Sequence, residues 1–264
     1  MPRAFLTAVI ASAALLASGA PTQAAPHLRL SVHTEPIPEF PHTGNIAGAG
    51  VSIATQIGIE GSEYGGHPPP LIGLSLRLPL GMHWNASGFP TCPRSILEPQ
   101  LGPPIPCPRG SEIQTGGSDA TLDVAFGTEV VTEKSTVMSS YAARGGFTLK
   151  LFGHEPVLIE LLARGIARQN DSSKGELLSI EMPLTETVPG EADASFTSIG
   201  FRLGSGFQPD PKTPRFSLYE PRRCPHGYLR FSVEASFAAL GGLPAQTATA
   251  SYRAPCPRRA QHPR

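Results

Sequence analysis

Side chains able to do chemistry are few in this sequence, and their spacing excludes most familiar reactions. The eight histidines, His27, His33, His42, His67, His83, His154, His226 and His262, include no His-X-His and no His-Glu-X-X-His pair. Those are spacings that place two imidazoles on one metal ion, so no metal and no cofactor are expected. His27 would stand third in a chain cleaved after Ala24, but Pro26 has no amide hydrogen to lose. Copper chelation through successive deprotonated amides is therefore blocked. The nearest approach to a nucleophile elbow, Gly73-Leu74-Ser75-Leu76-Arg77, lacks the closing glycine and lies in a strand pattern, whereas the elbow needs a strand-to-helix turn. Glycoside hydrolysis needs two carboxylates facing each other across a cleft. Of Asp119 and Asp123 only the second falls within an alternating strand, and Glu176 and Glu181 are five apart, which puts them on opposite faces of a regular strand. No catalytic residue is assigned. Asp123, Glu155 and Glu160 are the candidate acids of an alternative function, a jelly-roll hydrolase acting on an extracellular polysaccharide.

One aromatic cluster stands out. Tyr64, His67, His83 and Trp84 lie in two neighbouring Gly- and Pro-rich loops, and Trp84 is the only tryptophan. A flat, apolar, electron-rich indole can stack on a sugar ring, which makes these four the candidate binding residues. The competing reading packs Trp84 beneath its own disulfide loop. No Walker or dinucleotide phosphate loop is present, and Gly116-Gly117, Gly145-Gly146 and Gly241-Gly242 read as hairpin turns.

The elements that must hold these residues are strands. The chain contains 28 Gly and 29 Pro in 264 residues, with 40% hydrophobic and 16% charged residues. Breakers this frequent exclude long helices, while the apolar content excludes an intrinsically disordered chain. Period-2 alternation is clearest at Leu229, Phe231, Val233, Ala235 and Phe237. It recurs from Leu74 to Leu80, Leu122 to Phe126, Phe147 to Leu151, Leu178 to Leu184, Ile199 to Leu203 and Ala248 to Tyr252. Leu28 to Val32, Val51 to Ile59, Thr132 to Tyr141 and Phe216 to Tyr219 are weaker candidates. The stretch Glu155 to Gln169 has a helix-like residue mix but also alternates, and reads better as a strand. About ten or eleven strands predict an all-β fold, an antiparallel β-sandwich or jelly roll with long disulfide-stapled loops. Leu74 to Leu80 and Leu178 to Leu184 share four of seven residues, as amphipathic strands can by chance. Outward Arg29, Arg77, Arg202, Arg230 and Lys150 either gather on one sheet face or spread over two and pair with Glu181 and Glu234.

Compartment follows from the start of the chain and the cysteines. Arg3, the apolar run Ala4 to Ala17 and the small residues before Ala24 form the three parts of a secretory signal peptide. That run is short of the roughly 20 residues a membrane-spanning helix needs. The expected organisation is a signal peptide at 1–24, a single sandwich domain at 25–256 and a disordered tail at 257–264, in a secreted monomer without a transmembrane anchor. The 21 basic and 21 acidic residues balance, and loss of Arg3 leaves a net charge of −1, so no global field favours nucleic acid. Cys92, Cys107, Cys224 and Cys256 are each followed by proline, which pushes the cysteine toward extended geometry where a strand meets a loop. An even count in an exported chain predicts disulfides. Of three connectivities, Cys92–Cys107 and Cys224–Cys256 are favoured because near neighbours pair most readily. The loop from Gly81 to Ser118 would then be a rigid lid over one end of the sandwich.

Several stretches resemble, in order, a group of secreted β-rich proteins of unknown function from high-GC Gram-positive (actinobacterial) bacteria. They are Pro69 to Gly73, Gly88 to Cys92, Cys107 to Ser111, Pro183-Leu184, Glu186 to Gly190, Asp193 to Ser195, Cys224-Pro225 and Ala254 to Pro257. The resemblance implies a secreted β-rich architecture and carries no activity or site residue. The function expected is that of a secreted structural or binding protein of the cell envelope or extracellular space, with a glycan or other envelope component as partner.

Overall fold

The computed structural model describes residues 25–37, 50–98, 105–114, 122–126, 129–133, 137–153, 158–168, 175–184, 195–207, 215–221, 224, 227–239, 242 and 244–256. The expected signal peptide and tail, Gly116-Gly117 and Glu155 lie outside these residues. The described chain is almost entirely antiparallel strand: β1 (His27–Pro36), β2 (Val51–Glu60), β3 (Leu71–Arg77), β4 (His83–Trp84), β5 (Leu122–Phe126), β6 (Glu129–Glu133), β7 (Val137–Ala143), β8 (Gly146–Gly153), β9 (Ile159–Arg168), β10 (Leu177–Glu181), β11 (Ser195–Leu203), β12 (Gly206–Phe207), β13 (Arg215–Phe216), β14 (Leu218–Tyr219), β15 (Tyr228–Phe237) and β16 (Gln246–Pro255). One short helix, α1 (Arg94–Leu97), interrupts them.

Two large sheets build the sandwich. One has five strands in the order β1-β2-β11-β5-β6, the other seven in the order β16-β15-β3-β10-β9-β8-β7. Their inner faces follow from alternation. Leu28, Leu30 and Val32 of β1, Ile53 and Ile57 of β2 and Phe201 of β11 are buried in the same core as Phe231 and Val233 of β15, Leu74 and Leu76 of β3 and Leu149 of β8. The fold class read from the sequence is thus the one observed. The ambiguous stretch near residue 160 is strand β9.

Two local expectations are corrected. Strands β3 and β10 end before their prolines, so Leu80 and Leu184 are outside the ladder and exposed. The residue after a strand-ending proline has no reason to keep the alternation, because the proline cannot donate to the ladder. The span from Thr132 to Tyr141 is two strands, the end of β6 and most of β7. The two similar heptapeptides are direct neighbours. β3 and β10 pair antiparallel with Ser75 opposite its counterpart Ser179, their hydroxyls 3.3 Å apart, so a local two-fold axis passes between the two serines.

Hairpins account for several glycines. The β7–β8 turn is Arg144-Gly145, and Gly145 has a φ of 79°, as a two-residue hairpin loop demands. Gly165 on β9 stands opposite Phe147 on β8, and a Cβ at Gly165 would collide with the Phe147 ring. The missing side chain lets that ring, fully buried, lie flat across the neighbouring strand.

Both predicted disulfides are present: Cys92–Cys107 with Cα atoms 5.3 Å apart, and Cys224–Cys256 with Cα atoms 6.3 Å apart. They close loops of 15 and 32 residues, which the chain-entropy model equates with about 3 and about 3.7 kcal/mol. Replacing Cys224 and Cys256 by serine should lower the urea midpoint at least as much as replacing Cys92 and Cys107. Unchanged midpoints in both double variants would show that neither bridge constrains the unfolded chain.

Candidate functional site

The site predicted from the sequence does not assemble as an exposed aromatic platform. Trp84 is only 7% exposed and belongs to the core between the sheets. Its ring lies 5.1 Å from that of Phe147. Neither expected role holds: the indole presents no face to a sugar, and it packs in the main core rather than beneath the disulfide loop. The cause is the pairing of β4 with β14, Trp84 opposite Leu218 and His83 opposite Tyr219. Alternation on this two-residue strand turns Trp84 and Leu218 inward and leaves His83 half-exposed. Tyr64 and His67 close their own turn through two backbone hydrogen bonds, at 2.8 and 3.0 Å.

His83 instead meets Glu176, 93 residues away. The Glu176 carboxylate is the less exposed partner: one oxygen contacts His83 Nδ1, and the other accepts the Trp84 backbone N–H at 2.7 Å. This carboxylate fixes the imidazole ring and the strand that inserts Trp84. Nε2 of His83 has no hydrogen-bond partner among the described residues. A carboxylate-oriented imidazole is two-thirds of a nucleophilic triad, but no hydroxyl or thiol among the described residues bonds to that nitrogen. Of the other candidate acids, Glu155 lies outside the described residues. Glu160 is held by Lys150 at 3.0 Å, and Asp123 is known only by its place on β5, opposite Thr132 and Ser198.

A concave site lies elsewhere. The described parts of the Cys92–Cys107 loop, residues 92–98 and 105–107, lie over the outer face of the seven-stranded sheet, at strands β7 to β9, rather than over an end of the sandwich. Buried Cys92 and Leu97 pack with Leu162 of β9, and Ile96, Cys107 and Tyr141 join them. The Cys92 N–H donates to the Ala142 carbonyl at 3.0 Å. Lys150 reaches up from β8, and its Nζ donates to the Leu97 carbonyl at 2.8 Å while it pairs with Glu160. The ammonium thus meets the C-terminal carbonyl of α1, where a cation is favoured. Between lid and sheet a cleft of about 440 Å³ remains. Ile105 and Pro106 of the lid and Phe152 of the sheet wall it, and Ser139, Tyr141 and Lys150 supply its polar groups. The sequence placed Lys150 on an outward strand position, but the lid's docking depends on contacts that no local pattern encodes.

Comparisons with protein-family models, with curated proteins and with solved structures return no match to this chain.

As the sole tryptophan, Trp84 reports its own surroundings. The folded protein should emit at short wavelength and resist acrylamide quenching, and denaturant should shift the emission to the red. Quenching at the level of a free indole in the folded state would contradict the placement. Glu176→Ala should cost about 1–3 kcal/mol by leaving the Trp84 N–H unpaired, read as a lower urea midpoint by Trp84 fluorescence.

Proposed function

We propose that this chain is an exported binding protein of the cell envelope or extracellular space, and that its ligand seat is the cleft beneath the Cys92–Cys107 lid. The observation that carries the reading is the cleft itself, about 440 Å³ between a stapled lid and a rigid sheet. Ligand sites are typically concave, mostly apolar and supplied with a few placed polar groups. The wall residues and the three polar groups fit that description. Because Glu160 already answers the charge of Lys150, the ligand expected is a small molecule with an apolar body and one hydrogen-bonding group, not an anion. Two disulfides support an oxidising compartment. Among the described residues no helix is long and apolar enough to cross a membrane.

Titration with the uncharged fluorescent probe N-phenyl-1-naphthylamine tests the seat. Saturable one-site binding is expected, at least tenfold weaker in Ile105→Asp, whose exposed rim position leaves the melting temperature unchanged. Absent or non-saturable binding, or equal binding by the variant, would overturn the assignment. Export has its own check. The chain expressed with residues 1–24 in a bacterial host should be recovered outside the cytoplasm beginning at Ala25. A full-length cytoplasmic product with free thiols would count against it.

A further inference from the structure

The cations of this protein are not all treated alike. Arg29 pairs with Glu60, Arg94 with Glu98 and Lys150 with Glu160. On the outer face of strands β16, β15 and β3, away from the Lys150–Glu160 pair that shares this face on β8 and β9, the pattern changes. Arg230 of β15 stands directly opposite Arg253 of β16, and like charges in that relation destabilise a sheet. Arg77 of β3 lies opposite Ser232, one step diagonally from Arg230. Arg168 of β9 shares the Arg77 row across Leu177 of β10, two strand spacings or about 10 Å away. Among the described residues Arg230, Arg253 and Arg168 form no ion pair, and all three are exposed. Glu234 and Glu181 share the face but make no ion pair with them.

Two further features argue that this end of the face is built rather than accidental. The Arg253 guanidinium lies 4.8 Å from the centre of the Tyr228 ring, a cation–π arrangement that holds it over the sheet. The Cys224–Cys256 bridge ties together the chain just before β15 and just after β16, and so fixes the end where the two arginines face each other. Beside them the face is hydroxyl-rich, with Ser251 opposite Ser232 and Thr249 opposite Glu234. A flat row of hydroxyls flanked by unpaired guanidinium forks suits a polymer with sugar hydroxyls and repeating anionic groups. The planar forks match carboxylates.

We propose that the outer face of strands β16, β15, β3 and β9 binds an acidic polysaccharide, its sugar hydroxyls on the Ser232, Ser251 and Thr249 row and its carboxylates meeting the planar forks of Arg230, Arg253 and Arg168. This surface is separate from the cleft under the lid. In a chain with balanced overall charge, the attraction is local and screened by salt.

Affinity electrophoresis and calorimetric titration of the mature protein test this with polygalacturonate, poly(glycerol phosphate), neutral dextran and vesicles of anionic lipid. Binding to polygalacturonate, weakening with salt, and none to dextran is the expected result. The double variant Arg230→Gln/Arg253→Gln should bind at least tenfold more weakly and still melt cooperatively, because a like-charge contact and the Arg253–Tyr228 cation–π contact are removed together. The variant Arg29→Gln/Arg202→Gln makes the same charge change on the five-stranded sheet and should bind as the parent does. No binding to polygalacturonate, binding only to poly(glycerol phosphate) or to the vesicles, or equal loss in the two double variants would overturn the proposal. Probe binding in the cleft, measured on the same proteins, separates this outcome from failure of the lid assignment.

Discussion

The structure depends on how the open edge of the sandwich is sealed at Ser111–Gln114. An edge strand leaves a row of unpaired amides and carbonyls, and here β7 is that edge. The Ile113 N–H donates to the Ser140 carbonyl at 2.8 Å, and the Ala142 N–H donates to the Ser111 carbonyl at 2.7 Å. The other side of the same segment accepts the Gly204 N–H at Ile113, 2.9 Å away, just past the end of β11 in the opposite sheet. Buried serines complete the seal. Ser205 Oγ donates to the Glu112 carbonyl at 3.0 Å, the Ser205 N–H donates to Ser217 Oγ at 2.8 Å, and Ser140 Oγ donates to the Arg202 carbonyl at 3.4 Å. A small hydroxyl satisfies a carbonyl without the volume of an amide or carboxylate, and a buried polar group left unpaired would cost more than the bond gains. The hydroxyls of Ser140, Ser205 and Ser217 are therefore what lets two sheets of unequal size meet without a continuous ladder.

The lid follows from that seal. Cys107 lies four residues before Ser111, and Cys92 bonds to the next carbonyl along β7. Both ends of the stapled loop are thus fixed against one strand. α1 is too short to be stable alone; Leu97, Leu162 and the Lys150 bond hold it. Bridging a rigid loop over a flat sheet leaves space where side chains do not interdigitate, and the cleft is that space.

The legible parts of the fold are those written in local periodicity. β15 reads directly from Leu229 to Phe237, and the outward position of Arg230 follows from it. Both cysteine pairings follow from spacing. What was not legible depends on distant partners. Ser-Glu-Ile-Gln at 111–114 is polar and lacks alternation, so it reads as loop although it joins both sheets. Trp84 sits on a two-residue strand whose inward face is set by Leu218, far along the chain. Glu176 lies just before β10, and nothing near it announces His83. The facing of Arg230 and Arg253 needed the β15–β16 register, which the hairpin around Gly242 sets.

The two disulfides answer one physical problem. The ring of the proline after each cysteine removes a backbone donor, and of the four cysteines only Cys256 directly follows a strand, so the other three sit in segments that no ladder holds. A covalent tie at that point lowers the entropy of the unfolded chain without needing a packed interface. At Cys92 and Cys107 the tied segment is a loop laid over the sheet, and the result is concave and mostly apolar. At Cys224 and Cys256 the tied segments are the ends of two paired strands, and the result is flat and charged. The same residue pattern therefore produces a cleft in one place and a guanidinium-bearing face in the other. Whether the tie holds a loop away from the sheet or two strands within it decides which.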